Sequence, residues 1–268
     1  MNIPVGQYID LGWSTWDRSN AGYEWHTDEG VVRLIEKAET TNYVCYEPLS
    51  IPTLFLQFAE LNPDDSNSLL QFANKYGPLC IPASVTPVMS SPPGETLEFW
   101  QTELIGIKNL VNLWQWQKTN NLAMLNQVIT WERSQGESPP AVWYAFNDEE
   151  PQLVTEHPSI LSRFKPGDVL FPALHLIANT VMGKLRDWPV DPFLFVTPQG
   201  ELVQRFVPKT LLAAIWFQVF QAVSGEKRFK RCDVCQLWED VTDKKATWRR
   251  HTECATRERM RKFRSKSG

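Results

Sequence analysis

The sequence predicts an α+β protein with two unequal parts, a mainly α-helical body over residues 1–225 and a small C-terminal module over residues 226–268. Apolar residues recur at three- and four-residue steps along several stretches of the body, which is typical of amphipathic helices. The tail instead contains Cys232-x2-Cys235 and His251-x2-Cys254, and two short pairs of this kind are typical of a zinc finger. A hydrophobic content of 43%, with twelve tryptophans, indicates that the body has a packed core.

The first half of the body is predicted to contain short strands followed by helices. Alternating runs at residues 31–35 and 43–46 predict two strands within otherwise irregular structure. Asp65 or Ser66 is a candidate helix cap, and Gly77-Pro78 is a candidate stop. Helices are expected over residues 54–61, 66–76, 95–118 and 122–133.

The second half of the body is predicted to contain one strand, two helices and a hairpin. The strand is expected at residues 142–146 and the first helix at 173–188. Residues 193–197 and 202–207 flank a Pro-Gln-Gly-Glu turn, which predicts a β-hairpin. Pro208 suits the first turn of a helix that extends to about residue 223. That helix is apolar nearly all round, so we expect it at the centre of the core.

Charge divides the chain at the same boundary. Residues 1–225 carry 13 Lys and Arg against 24 Asp and Glu, whereas residues 226–268 carry 14 against 7. An acidic body with a basic tail implies that a polyanion would meet the tail first. The sequence starts without a secretory pattern, and its longest apolar segment is too short for a bilayer. A cytoplasmic protein is expected, with Cys45 and Cys80 as buried free thiols.

The cysteines and histidine of the tail predict a closed structural zinc site. Cys232, Cys235, His251 and Cys254 form two pairs separated by fifteen residues, and each pair can supply one half of a tetrahedral site. The alternative is a Cys232–Cys235 disulfide with a surface histidine and a free cysteine. Reducing conditions favour metal over disulfide. Trp238 and Trp248 lie between the pairs and are expected to cover the metal, whereas Asp240, Asp243, Lys244 and Lys245 are expected to be solvated.

The residues around the second pair predict a cationic helix that contacts nucleic-acid phosphates. Good helix formers follow Cys254, and Met260 and Phe263 would form an inward-facing stripe. The candidate phosphate-binding residues are Arg249, Arg250, Arg257, Arg259, Arg261, Lys262 and Arg264. Helical spacing places Arg257, Arg261 and Arg264 on one face. The alternatives are docking on the acidic body and a partner-binding arm.

The tail resembles the CGNR-type zinc fingers of bacterial proteins. The resemblance rests on the Cys-x2-Cys start, the Trp248-Arg-Arg-His approach, and Cys254 followed by Arg257 and a basic helix. His251 stands where that family usually has cysteine, and Ala255-Thr256 replaces its Gly-Asn. The body is similar, over residues 69–79, 94–100 and 211–218, to uncharacterised bacterial proteins that carry such a finger at their C-terminus. The resemblance implies a DNA-binding regulator and favours DNA over RNA.

The body contains no recognisable catalytic motif. Asp148, Glu149 and Glu150 form its densest carboxylate cluster, but beside a proline they are interpreted as a solvated turn. No Gly-rich phosphate loop, G-x-S-x-G or H-E-x-x-H motif occurs. We therefore expect no enzyme. The predicted function is a nucleic-acid-binding protein, as a regulator or as a subunit of a nucleoprotein complex. The alternative is a protein-interaction adaptor whose finger is purely structural, and an enzyme with an unfamiliar site is the third possibility.

Overall fold

The structure of the chain is a computed structural model. It describes residues 16–37, 43–80, 95–132, 141–146, 150–155, 157–197, 199–225, 227–245 and 247–264, with the backbone alone at Trp16 and at residues 261–264. Within these ranges eight helices accompany five small antiparallel sheets. The fold is therefore mixed α+β, which confirms the predicted class.

The helices supply most of the buried surface. They are α1 (Leu54–Ala59), α2 (Ser66–Tyr76), α3 (Leu97–Lys118), α4 (Leu122–Val128), α5 (Pro158–Leu161), α6 (Leu170–Asp187), α7 (Leu211–Val223) and α8 (Thr252–Arg264). Side chains placed just before four of them satisfy free backbone N–H groups, and for α4 this side chain is Asn121, which accepts from Met124 N. Asp65 accepts from Asn67 N ahead of α2, Thr96 does so for α3, and Thr210 does so for α7. These caps fix where the helices begin.

The strands form hairpins and one three-stranded sheet rather than a continuous layer. They are β1 (Trp16–Ser19), β2 (Tyr23–Asp28), β3 (Val31–Glu36), β4 (Tyr43–Tyr46), β5 (Ile129–Glu132), β6 (Ala141–Tyr144), β7 (Gln152–Leu153), β8 (Val190–Val196), β9 (Leu202–Pro208), β10 (Phe229–Arg231) and β11 (Trp238–Asp240). β1 pairs with β4 and β2 with β3, whereas β5, β6 and β7 form the larger sheet. The predicted hairpin corresponds to β8 and β9. β10 and β11 form the ribbon at the start of the C-terminal module.

The core lies where α1, α3, α6 and α7 meet. Trp100 of α3 and Trp216 of α7 are completely buried. Glu103, also buried, accepts a hydrogen bond from the Trp216 indole at 3.3 Å and pairs with Lys184 of α6 at 2.6 Å. Gln218 is buried in α7 and donates its amide to the carbonyl of Ile51 at 2.8 Å. Glu103 and Gln218 are therefore paired, as burial requires, whereas the buried indole nitrogen of Trp100 has no hydrogen-bond partner among the described residues.

Two predicted helix boundaries are wrong. The helix expected over residues 122–133 ends at Val128, because Ile129–Glu132 pairs with β6 and becomes β5. The β-branched and aromatic side chains of that segment suit a strand. Pro208 is the last residue of β9 rather than the first turn of α7. Thr210 caps the helix instead, so α7 begins at Leu211.

Two predictions of burial are also wrong. Cys45 is exposed because its side chain lies on the outer face of β4, and Cys80 is only partly buried. Met260 is 51% exposed and therefore does not face inward from α8, whereas the side chain of Phe263, the other residue of the predicted stripe, lies outside the described part of the chain. Among the described residues, no helix is both long and apolar enough to cross a membrane.

Candidate metal centre and basic helix

The ribbon ends in a tight turn that presents the first two cysteines. Cys232 follows β10 directly, and its N–H donates to the carbonyl of Leu237 at 2.9 Å. Its own carbonyl accepts from Gln236 N, also at 2.9 Å. Gln236 adopts a left-handed conformation with φ of 61°, which closes the turn after Cys235. The chain thereby returns into β11 with both thiols on the inner side of the turn.

The second pair stands at the start of α8. His251 immediately precedes the helix, and its carbonyl accepts from Ala255 N at 3.0 Å, while Cys254 lies in the first turn. A further backbone bond, from Asp233 N to the carbonyl of Arg249 at 2.9 Å, ties the two halves together. The helix start therefore lies against the turn that carries the first two cysteines.

The four side chains lie close enough together to hold a metal ion. The sulfur atoms of Cys232, Cys235 and Cys254 and a ring nitrogen of His251 all lie within 4.8 Å of one another. His251 Nδ1 is 3.4 Å from Cys235 Sγ and 3.8 Å from Cys254 Sγ. Metal–ligand bonds of about 2.3 Å to sulfur and about 2.0 Å to nitrogen place tetrahedral ligands roughly 3.5–3.8 Å apart. The donor set and its spacing therefore fit a metal ion.

A carboxylate behind the histidine supports the same interpretation. His251 Nε2 lies 3.0 Å from Glu239 Oε2, and Glu239 in turn pairs with Lys244. If Nε2 carries the ring proton, as its carboxylate partner favours, the lone pair of Nδ1 points at the thiols. Metal-bound histidines commonly donate their second ring N–H to a carboxylate in this way. Glu239 therefore fixes the orientation of the ring.

The thiols of Cys232 and Cys254 have different pKa values. Burial alone would raise the pKa of Cys232, but N–H groups of Cys235, Val234 and His251 donate to its sulfur and lower the pKa to about 6. Cys254 behaves in the opposite way, because burial and the neighbouring sulfurs of Cys232 and Cys235 raise its pKa to about 11. Three thiolates at such short separations repel one another unless a cation lies between them.

All five cysteines are free thiols, so the disulfide alternative is not what this structure contains. The four residues of the candidate site can hold a metal ion. No protein-family model, curated protein or solved structure matches this chain. Its functional residues are therefore identified by their own geometry.

The candidate phosphate-binding residues surround α8. Arg249, Arg257 and Arg259 are exposed. Arg250 is half-buried and pairs with Glu258 of the same module. Positions 261, 262 and 264 belong to the backbone of α8, and the side chains of Arg261, Lys262 and Arg264 lie outside the described part of the chain.

The ribbon anchors the module on the body. Phe229 is buried against Phe55 of α1, with ring centroids 5.2 Å apart. Glu60, just after α1, accepts from the Trp238 indole at 2.6 Å and pairs with Arg231 at 2.5 Å. The Arg231 guanidinium also lies over the Trp238 ring, 4.7 Å from its centre. These contacts place the ribbon of the basic module against the body.

The two tryptophans of the module have different roles. Trp248 packs edge-on against His251, with centroids 5.5 Å apart, as expected of a ring that covers the site. Trp238 is directed instead to Glu60 of the body. The prediction that Asp240 is simply solvated is also wrong. Burial raises its pKa, but hydrogen bonds from Thr242 and the Lys227 ammonium outweigh this effect and lower it.

The structure adds no support for a site at the carboxylate cluster of the body. Glu150 is exposed, and Asp148 and Glu149 lie outside the described residues. Sequence reasoning missed Glu239, Glu60 and Glu258. Glu239 lies between the two ligand pairs in the sequence, and this position could have suggested a contact with His251. No local pattern relates Glu60 to Arg231, which follows it by 171 residues.

Proposed function

We propose that this chain is a nucleic-acid-binding protein whose C-terminal module is a zinc finger. The observation that carries the proposal is the attachment of an arginine-rich helix to a four-ligand cluster. Three sulfurs and one imidazole, with no position left for water, are the donor set of a structural zinc site. In this proposal the metal supplies folding energy rather than chemistry.

The module's charge supports nucleic acid as the partner. Residues 226–268 hold 14 of the chain's 27 Lys and Arg, and Arg257 and Arg259 project from α8 into solvent. A duplex carries one negative charge per roughly 1.7 Å of its axis, so an exposed cationic helix gains affinity by displacing counterions. The resemblance to CGNR-type fingers points the same way and favours DNA over RNA. A regulator or a nucleoprotein subunit remains the proposed role.

A titration of the full-length, zinc-loaded chain tests this function. Labelled duplex DNA, single-stranded DNA and RNA are each titrated at about 50 and about 200 mM salt and followed by fluorescence anisotropy. We expect binding that weakens steeply with salt, because it depends on phosphate contacts. Absence of binding to all three polymers at the lower salt would refute the proposal.

A protein-interaction adaptor is the second candidate, and exposed apolar surface favours it. Phe171, Leu174 and Met182 of α6 are each more than 40% exposed and lie on one side of that helix. Leu194 and Leu202 of the β8–β9 hairpin are about 70% exposed. Surface of this kind commonly marks protein interfaces. This candidate predicts that zinc removal lowers stability and that none of the three polymers binds.

A further inference from the structure

The module contains a cleft beside the metal ligands. The loop residues Thr247, Trp248, Arg249 and Arg250 form one wall, and Ala255, Glu258 and Arg259 of α8 form the other. Ala255, Glu258 and Arg259 are spaced three and four residues apart, so they share one side of the helix. The cleft has a volume of about 380 Å3. That size is near the lower end of the range for small-ligand sites, about 300–1,000 Å3.

The walls combine positive charge with an aromatic ring. Three of the seven lining residues are arginines and one is a glutamate, so the cleft carries a net charge of +2. Glu258 is paired with Arg250, which leaves Arg249 and Arg259 as the exposed cations at its edges. The positive charge therefore attracts an anion such as a phosphate group, and the aromatic ring offers a surface on which a base can stack.

The ring of Trp248 is held in place from several directions. Its T-shaped contact with His251 links it to the metal ligands, and the Lys244 ammonium lies over one face of the ring, 5.3 Å from its centre. Its backbone N–H also donates to the carbonyl of Lys245 at 2.8 Å. A ring that is fixed before binding loses little conformational entropy when a ligand stacks on it.

We propose that this cleft binds one unpaired nucleotide of a single strand. The base stacks on Trp248, and the neighbouring phosphates contact Arg249 and Arg259. Aromatic rings combined with arginines are the usual means of binding single strands, because every base has a π-face whereas a paired base is enclosed in its stack. This inference rests on the proposed nucleic-acid function and specifies its substrate as single-stranded.

An abasic strand separates base stacking from phosphate contact. The zinc-loaded full chain is titrated with a labelled 12-nucleotide thymidine strand and with an abasic strand of equal length and charge. Loss of one stacked base weakens binding by about fivefold to about 150-fold. We therefore expect the dissociation constant of the abasic strand to exceed that of the thymidine strand by a factor in that range. A uridine strand is titrated in parallel to compare RNA with DNA.

Substitutions of the ring localise the effect. Trp248→Leu is expected to remove the preference for the base-containing strand, whereas Trp248→Phe should retain most of it. Trp143→Leu, which removes a partly buried tryptophan from β6, should leave the preference intact. Zinc content is measured for each variant. If Trp248→Leu fails to hold zinc, the comparison of Trp248→Phe with the wild type and the abasic titration of the wild type still test the inference.

The outcomes distinguish the inference from the function on which it rests. Equal binding of abasic and base-containing strands by the wild-type chain overturns the stacking inference and leaves the nucleic-acid function standing. A base preference that survives Trp248→Leu in zinc-loaded protein also overturns the assignment to this cleft. Absence of binding to any strand or duplex refutes both.

Discussion

Replacement of Glu239 by glutamine tests how the candidate metal site is organised. Glu239 Oε2 lies 3.0 Å from His251 Nε2 and so orients the ring whose Nδ1 faces the thiols. Loss of such a partner usually weakens metal binding by about 10- to 100-fold. The Glu239 side chain is 32% exposed and also pairs with Lys244, so its charge is already partly screened. We therefore expect a loss near the lower end, about tenfold, or about 1.4 kcal/mol.

The affinity for zinc is measured by competition with a chromophoric chelator of known strength. Glu253→Gln is the matched control, because it removes the same charge from an exposed position in the first turn of α8. The control should bind zinc as the wild type does. An unchanged affinity in Glu239→Gln, or an equal loss in both variants, would refute the orienting role of Glu239.

Three further predictions concern stability and accessibility. In metal-loaded protein the exposed Cys45 should react first with a thiol reagent, and Cys80 should react slowly because burial raises its pKa. A chelator that removes the metal should make the three thiols of the site reactive as well. Reaction of those three thiols before the chelator is added would contradict a bound metal. Glu60→Ala removes the carboxylate that accepts from Trp238 and pairs with Arg231. Because this contact is partly exposed to solvent, we expect the free energy of unfolding, measured with urea, to fall by only about 1 kcal/mol. An unchanged midpoint would show that this contact does not hold the module. Burial raises the pKa of Tyr23 from 10.0 to about 12, so its hydroxyl stays protonated in the folded state at pH values where the unfolded state loses the proton. The free energy of unfolding should therefore fall as pH rises from 10 to 12. Tyr23→Phe should show a shallower fall, and an identical pH dependence in both proteins would contradict the burial effect.

Local patterns predicted the helices well, but tertiary pairing decided where one of them, α4, ends. Residues 66–76 have a cap and a glycine stop within their own sequence, and α2 has those bounds. Residues 122–133 have a continuous helical pattern, yet Ile129–Glu132 leaves the helix because β6 offers it a strand partner. That partner begins at Ala141, nine residues after Glu132, so no short window of sequence contains the information.

The candidate metal site was predictable because its chemistry depends on spacing. The four ligand residues occur as two pairs, and the structure brings all four within 4.8 Å. The partners of the site were harder to predict. Glu239 is one of several acidic residues in the loop, and only the ribbon's geometry directs it to His251. Glu60 lies far away in the chain, so its contact with Trp238 depends on how the ribbon docks.

The salt dependence of nucleic-acid binding is the most direct test of the proposed function. Arg257, Arg261 and Arg264 occupy positions on successive turns of α8, and Arg257→Ala/Arg261→Ala/Arg264→Ala removes them together. Each lost phosphate contact lowers the slope of log K against log salt by about 0.7–0.9, so the slope should become shallower by about two to three. The control removes three exposed cations of the body, Arg163, Lys165 and Arg186, and should keep the wild-type slope. An α8 variant that retains both the affinity and the slope of the wild type would contradict the proposal that this helix contacts the phosphates.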